Sequence, residues 1–136
     1  MSSVDERVEQ GIALAESMLG KEFGKRMRTM VETNGFGADL ARNGMAHSYT
    51  DCWAREGLDR RSRSLLTIGA LIAMKQPVEL KNHIRIGLSN GLTMKELEET
   101  MIHLATYVGY PVMATASTAI REVLEEKGLL KKGSPA

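Results

Sequence analysis

Apolar residues recur at every third or fourth position along nearly the whole chain, and this spacing limits the fold more than any other feature. The first segment shows the pattern clearly, with apolar side chains at Val8, Ile12, Ala15 and Leu19. A spacing of three or four is typical of an amphipathic helix, whereas a strand alternates with a period of two. The sequence has no such alternation, no tandem repeat and no linker. It therefore predicts an all-α fold of about six to seven helices.

Glycine, proline and capping residues mark where these helices begin and end. Pro77 suits the first turn of a helix, and Gly91 suits a left-handed stop. Thr93 and Glu96 have the spacing of a capping box, and Leu92 lies where a hydrophobic staple to the following helix would begin. The predicted helices cover residues 4–19, 22–33, 38–55, 60–74, 77–90, 94–108 and 111–128.

Length and charge limit the classes of protein to which the chain can belong. Its 136 residues predict one domain over residues 1–128, followed by a flexible tail over residues 129–136. Lys and Arg total 18 against 17 Asp and Glu, a balance that does not indicate nucleic acid or an anionic membrane as a partner. No apolar run has the length of a membrane span, and the N-terminal residues do not resemble a secretory signal, so we expect a cytoplasmic protein.

Cys52 is the one cysteine of the sequence, so neither an internal disulfide nor a Cys-x-x-Cys pair can form. It has no basic neighbour in sequence and does not begin a helix, the two features that lower a thiol pKa. We therefore predict that Cys52 is a buried, unreactive thiol.

Two pairs of polar side chains are candidates for chemistry. Glu79 and His83 are four residues apart on the fifth predicted helix, and His103 and Tyr107 are four apart on the sixth. Residues at this spacing lie on one helical face. An antiparallel hairpin of the two helices about Gly91 would allow both pairs to face one cleft.

Each candidate also has a purely structural interpretation. Glu79 near a helix start would favour the positive end of the helix dipole without any catalytic role. His83 and His103 could each be a core or subunit-interface histidine. Arg63 precedes an apolar run and could bind a carboxylate in a bidentate way, or form an ion pair within the protein.

His47 and Trp53 lie close together in the sequence, on the third predicted helix. His47 suits a structural or pocket-lining role better than a catalytic one. Trp53 could anchor the core or form the wall of a substrate pocket. Three histidines and one glutamate could hold zinc, but no His-x-x-x-His pair occurs, so we predict no metal site.

The stretch over residues 52–114 carries an ordered set of motifs. It contains Trp-x-Arg-x-Gly-Leu-Asp, Arg-Ser-Leu-Leu-Thr-Ile and Glu-Leu-x-x-His, followed by Asn-Gly-Leu-Thr-x-x-Glu-Leu and His-Leu-Ala-x-Tyr-x-Gly-Tyr-Pro. This set resembles the carboxymuconolactone decarboxylase family. The resemblance implies an all-α fold shared with the alkylhydroperoxidase AhpD, assembled as a homotrimer or homohexamer with sites near the subunit contacts.

The resemblance also implies which chemistry to expect. AhpD-type relatives carry two cysteines before the histidine that matches His83, and this chain has Gln76 and Glu79 at those positions. The dithiol peroxidase reaction therefore has no reacting groups here. The decarboxylase branch converts 4-carboxymuconolactone into 3-oxoadipate enol-lactone without a cofactor.

By this resemblance we predict three catalytic residues, with Arg63 holding a carboxylate, His83 donating a proton and Glu79 orienting the imidazole. The predicted substrate-binding residues are His103, Tyr107, Trp53, His47 and Tyr110. His103 or Tyr107 would donate a hydrogen bond to the carbonyl oxygen of the lactone.

Two other classes remain open at the level of sequence. An AhpD-like peroxidase would need an unusual mechanism with one thiol, Cys52. A non-catalytic oligomeric binding protein would hold the polar residues in saturated structural pairs, with no enclosed pocket beside Glu79 and His83.

Overall fold

The computed structural model describes residues 3–133, with side chains described from residue 5. This part of the chain is all-helical and contains no strand, as the sequence predicted. Its seven α-helices are α1 (Ser3–Leu19), α2 (Lys21–Glu32), α3 (Ala38–Gly44), α4 (Arg60–Ala73), α5 (Pro77–Ser89), α6 (Met94–Val108) and α7 (Tyr110–Glu126). None of them is long and apolar enough to cross a bilayer.

The third predicted helix differs from its prediction in one respect. After Gly44 the chain widens into a π-helical segment, Met45–Trp53, instead of continuing as an α-helix to residue 55. The N–H of Ala54 donates to the carbonyl of Tyr49, five residues back, at 2.9 Å. A widening of this kind is rare and has no reliable sequence signal, so the sequence pattern could not reveal it.

The chain forms two compact units, and the first is Met1–Asp59. In this unit α1 packs against α2 and against the π-helical segment. A Cβ atom placed on Gly11 would lie 1.9 Å from the carbonyl oxygen of Met45, so only glycine permits this approach of two backbones. The core of the unit combines side chains from α1 and the π-helical segment, namely Val8, Ile12, Ala15, Met45 and Ala46.

The second unit, Arg60–Ala136, contains α4 to α7. Within it α5 packs against α4 and α7, and α6 also packs against α7 and α4. Helices α5 and α6 therefore lie at opposite corners of a four-helix arrangement. Its core includes the fully buried side chains of Ile68, Ile72, Leu80, Ile84, Leu97 and Val123.

The turn between α5 and α6 confirms the predicted capping chemistry. The hydroxyl of Thr93 accepts from the N–H of Glu96 at 3.1 Å, and the Glu96 carboxylate accepts from the N–H of Thr93 at 3.0 Å. Gly91 has a φ of 99°, a left-handed conformation that a glycine adopts without strain. Leu92 and Leu97 are buried in the core of the unit, which fixes the direction in which α6 leaves the turn.

The chain after α7 turns back on the unit. The N–H groups of Leu129 and Leu130 donate to the carbonyl of Leu124 at 2.9 and 3.2 Å, and Leu130 packs against the core. The predicted flexible tail extends to residue 136, and its last three residues lie outside the described part. The assignment of residues 1–128 to one domain stays a prediction.

Candidate active site

Helix α5 carries the first candidate pair. Pro77 occupies its first turn, and Glu79 follows with an exposed carboxylate that accepts a hydrogen bond from the Asn82 side chain at 3.0 Å. His83 lies one turn further along and is half-buried, with its Nδ1 atom buried. The pair thus joins an exposed carboxylate to an imidazole that is largely withdrawn from water.

This environment changes the protonation of His83. Burial lowers the pKa of the His83 imidazole, because the charged form loses hydration, and the negative charge of Glu79 opposes that shift. Burial is the larger effect. The lowered pKa favours the neutral imidazole at pH 7.

Arg63 lies at the other end of α5 from Glu79. The Asn90 side chain donates to the hydroxyl of Ser64 at 3.0 Å, so the start of α4 adjoins the end of α5 and the two helices are antiparallel. Asn90 follows Glu79 by 11 positions and His83 by seven, or about 16 Å and 10 Å of helix at 1.5 Å per residue. The structure brings Glu79 and His83 together, but it places the backbone of Arg63 at the opposite end of the helix.

The second predicted pair lies on α6. The rings of His103 and Tyr107 are in contact, with centroids 5.2 Å apart and planes inclined by 43°. Both side chains are exposed, Tyr107 to 73%. His103 also lines a shallow hollow of about 390 Å³ between α4 and α6, together with Leu65, Gly69, Glu96, Glu99, Thr100 and Leu104.

The cleft predicted between α5 and α6 does not form within this unit. Each of the two helices packs against α4 and α7, which lie between them. The apolar faces of α5 and α6 contribute Leu80, Ile84 and Leu97 to a core shared with α4 and α7 instead. The two predicted pairs are consequently separated within one chain.

Three further predicted residues lie in or near the π-helical segment of the first unit. The Nδ1 atom of His47 is 3.0 Å from the carboxylate of Asp51, which also pairs with Arg7. Trp53 is buried. The prediction that Cys52 is buried is wrong, because its side chain is exposed while the adjacent Trp53 takes the inward position. Among side chains 5–133 no three His, Cys, Asp or Glu residues cluster as metal ligands would.

The sequence reasoning missed a half-open cavity of about 230 Å³ at the start of α5. Apolar side chains make most of its wall, and three polar residues, Lys75, Gln76 and Thr115, also line it. The apolar lining comes from the end of α4, from α5 and from the start of α7, namely Leu71, Ile72, Pro77, Leu80, Pro111, Val112 and Ala116. Tyr110, the last predicted binding residue, adjoins Pro111 in the chain and is 80% exposed.

Lys75 at this cavity has an unusual backbone conformation. Its φ of 57° is the only positive value for a non-glycine residue among residues 3–133. Its N–H donates to the carbonyl of Ile72, and the N–H of Gln76 donates to that of Leu71, which together make a Schellman end to α4. Glycine is the usual residue at this position, and a side chain there costs about 1 kcal/mol. This strained position is a signal that sequence reasoning could not detect.

Comparison with known proteins adds to this geometry. The model of the carboxymuconolactone decarboxylase family matches residues 38–122. The chain belongs to this family. It is 31% identical over 125 residues to a 4-carboxymuconolactone decarboxylase of Acinetobacter baylyi, covering 92% of each chain. It is also 31% identical over 119 residues to a nitrosuccinic acid decarboxylase of Metarhizium robertsii, covering 87% of this chain and 81% of the relative. Membership and these two relatives support a decarboxylase activity.

Proposed function

We propose that the protein decarboxylates a carboxylic acid whose electron pair, after loss of carbon dioxide, is taken up by an acceptor group of the substrate itself. The observation that carries this proposal is the half-buried His83 beside Glu79 on α5 of a chain from this family. An imidazole in such a place can exchange a proton with carbon. The acceptor lies in the substrate, so the reaction needs no cofactor.

In 4-carboxymuconolactone one ring carbon carries the carboxylate that leaves as carbon dioxide. The bond between the ring carbon and its carboxylate breaks, and carbon dioxide leaves. The electron pair moves through the ring double bond onto the lactone carbonyl oxygen, giving an enolate. One proton then adds to carbon, and the product is the enol-lactone. The protein must bind the carboxylates, stabilise the enolate oxygen and supply that proton.

His83 is the proposed source of the proton. A bound carboxylate substrate adds negative charge beside an imidazole that already adjoins Glu79, and nearby negative charge raises a histidine pKa. The imidazole therefore takes up a proton as the substrate binds and gives it to carbon after carbon dioxide has left. Glu79 acts on His83 and is the positioning residue of the pair.

We infer that Arg63, His103 and Tyr107 join this pair from a second copy of the chain, in a homotrimer or homohexamer. Within one chain they are separated from Glu79 by the length of α5 or by the helices between α5 and α6. The exposed side of α4 is apolar at Leu66, which is 68% exposed, and at Ala70, and Met74 just after the helix is 63% exposed. Apolar surface of this kind is typical of a subunit contact.

The substrate and the type of chemistry are tested together. Purified protein is mixed with 4-carboxymuconolactone, and carbon dioxide release is measured beside the consumption of hydrogen peroxide and of an organic hydroperoxide. We expect carbon dioxide release, no peroxide consumption, and rates within about twofold of wild type for Cys52→Ser, since the proposed proton transfer uses no thiol.

Peroxide consumption that Cys52→Ser abolishes would establish the peroxidase alternative and contradict the proposal. If the protein shows neither activity, with nitrosuccinic acid tested beside the lactone, the non-catalytic binding protein is the better account.

A further inference from the structure

The cavity at the start of α5 combines an apolar wall with one cation. Leu71, Leu80 and Val112 contribute aliphatic surface, and Lys75, which is exposed, is the one charged residue of the lining. Its volume of about 230 Å³ is below that of most sites for drug-sized ligands. The cavity therefore fits a small ligand that has an apolar body and one negative end.

Glu79 and His83 are close to this cavity along α5. The cavity touches the helix at Gln76, Pro77 and Leu80, and Glu79 lies between the last two of these. His83 follows Leu80 by three positions, less than one helical turn. Glu79 and His83 are therefore within two helical turns of the residues through which α5 lines the cavity.

The strained backbone of Lys75 is a second feature of the same place. Glycine would end α4 at this position without strain, yet the chain has a lysine that lines the cavity. Residues held in sparsely populated conformations are concentrated at functional sites. The strained backbone therefore favours a functional role for the ammonium group of Lys75.

The substrates named for the two relatives share a structural element that such a cavity could recognise. In 4-carboxymuconolactone the ring carbon that bears the carboxyl group also bears a carboxymethyl arm. In nitrosuccinic acid the carbon that bears the nitro group carries a carboxyl group and the same arm. Each compound is a substituted succinic acid in which the carboxylate on the substituted carbon can leave, while the arm keeps its charge.

We propose that this cavity binds the carboxymethyl arm that the substrate retains, with Lys75 paired to its carboxylate, so that the substrates are succinates substituted at carbon 2 by an electron-withdrawing group. The class of substrate rests on the proposed function, whereas the binding of a succinate at Lys75 does not. Lys75 is a specificity-determining residue in this account and takes no part in the proton transfer.

The test separates binding from turnover. Calorimetry measures the affinity of the wild-type protein for 2-methylsuccinate, which has both carboxylates but no acceptor group and cannot react. It also measures the affinity for butyrate, which has one carboxylate.

The same measurements are made on three variants: Lys75→Gln, Lys75→Gly and the control Lys127→Gln at the far end of α7. We expect both Lys75 variants to lose about tenfold in affinity for 2-methylsuccinate and for butyrate, the size of a charge-assisted hydrogen bond, since each ligand offers Lys75 a carboxylate. Lys127→Gln should bind as wild type does.

Thermal unfolding separates a binding role of Lys75 from a structural one, because the loss of a structural lysine would lower the Tm. Lys75→Gly removes the backbone strain and should raise the Tm by about 4 °C while it weakens binding. Unchanged affinity for 2-methylsuccinate in both Lys75 variants would overturn the inference.

Turnover distinguishes the two proposals from each other. Carbon dioxide release with normal KM in Lys75→Gln would leave the decarboxylase proposal standing and remove Lys75 as the anchor. Binding of 2-methylsuccinate through Lys75 without any carbon dioxide release from the lactone or from nitrosuccinic acid would support the anchor and contradict the decarboxylase.

Discussion

At the scale of the residue, the withdrawal of His83 from water has a consequence for stability. The pKa of His83 is lowered in the folded protein, chiefly by burial, whereas in the unfolded chain it has its ordinary value of about 6.5. Below that pH the unfolded state binds more protons than the folded state, so stability falls as the pH falls through about 6.5 towards the lowered pKa.

The lowered pKa of His83 predicts that the wild type loses more stability than His83→Gln as the pH falls. Urea unfolding at pH 7.5 and at pH 5.5 should show a loss of stability in the wild type that His83→Gln partly abolishes, because glutamine does not titrate. Equal losses in the two proteins would mean that the imidazole titrates alike in the folded and unfolded states.

The sequence revealed the pairing of Glu79 with His83 because a spacing of four defines one helical face. It did not reveal how deeply His83 is buried, since that depends on the helices that pack against α5. The error over Cys52 has the same origin, because the π-helical turn decides which of two adjacent residues points inward.

At the scale of the element, the contact between α1 and the π-helical segment depends on the absence of a side chain at Gly11. Replacing Gly11 with Ala would place a methyl group against the backbone carbonyl of Met45, which cannot move aside cheaply. We expect a loss of about 2 to 3 kcal/mol in the free energy of unfolding.

Gly44 offers a matched control on the adjoining α3. It has a helical φ of −60° and a Cβ placed on it would meet no atom within 4 Å. Gly44→Ala should therefore stabilise the protein by about 0.5 to 1 kcal/mol. Urea denaturation measures the free energy of unfolding of both variants. An unchanged value for Gly11→Ala would contradict the close approach of Gly11 to the backbone of Met45.

Helix bounds were largely predictable because their signals are local. The Thr93 capping box, Pro77 and Gly91 each determine a helix end through chemistry within a few residues. The packing of α5 and α6 on α4 and α7, rather than on each other, was not predictable, because it depends on apolar faces distant in sequence.

At the scale of the whole molecule, the exposed side of α4 predicts self-association. Leu66→Glu introduces a charge on a side chain that is 68% exposed in the single chain, so the fold should tolerate it. We expect a lower molar mass by light scattering than for wild type, and reduced decarboxylation, if a second copy completes the site as we propose. Leu129→Glu is the control, because Leu129 is also exposed and lies after α7. An unchanged mass for Leu66→Glu would exclude this side of α4 from the subunit contact.

The most direct test of the account measures the rate of carbon dioxide release from 4-carboxymuconolactone by wild type and His83→Gln across the pH range. The wild-type kcat/KM should decline as the pH rises above the lowered pKa of His83, since the free enzyme must gain a proton to act as an acid. His83→Gln should lose at least about 100-fold in rate and lose this pH dependence as well. If it turns over the lactone at a near-normal rate with the same pH profile, His83 is not the proton donor and the proposed mechanism is wrong.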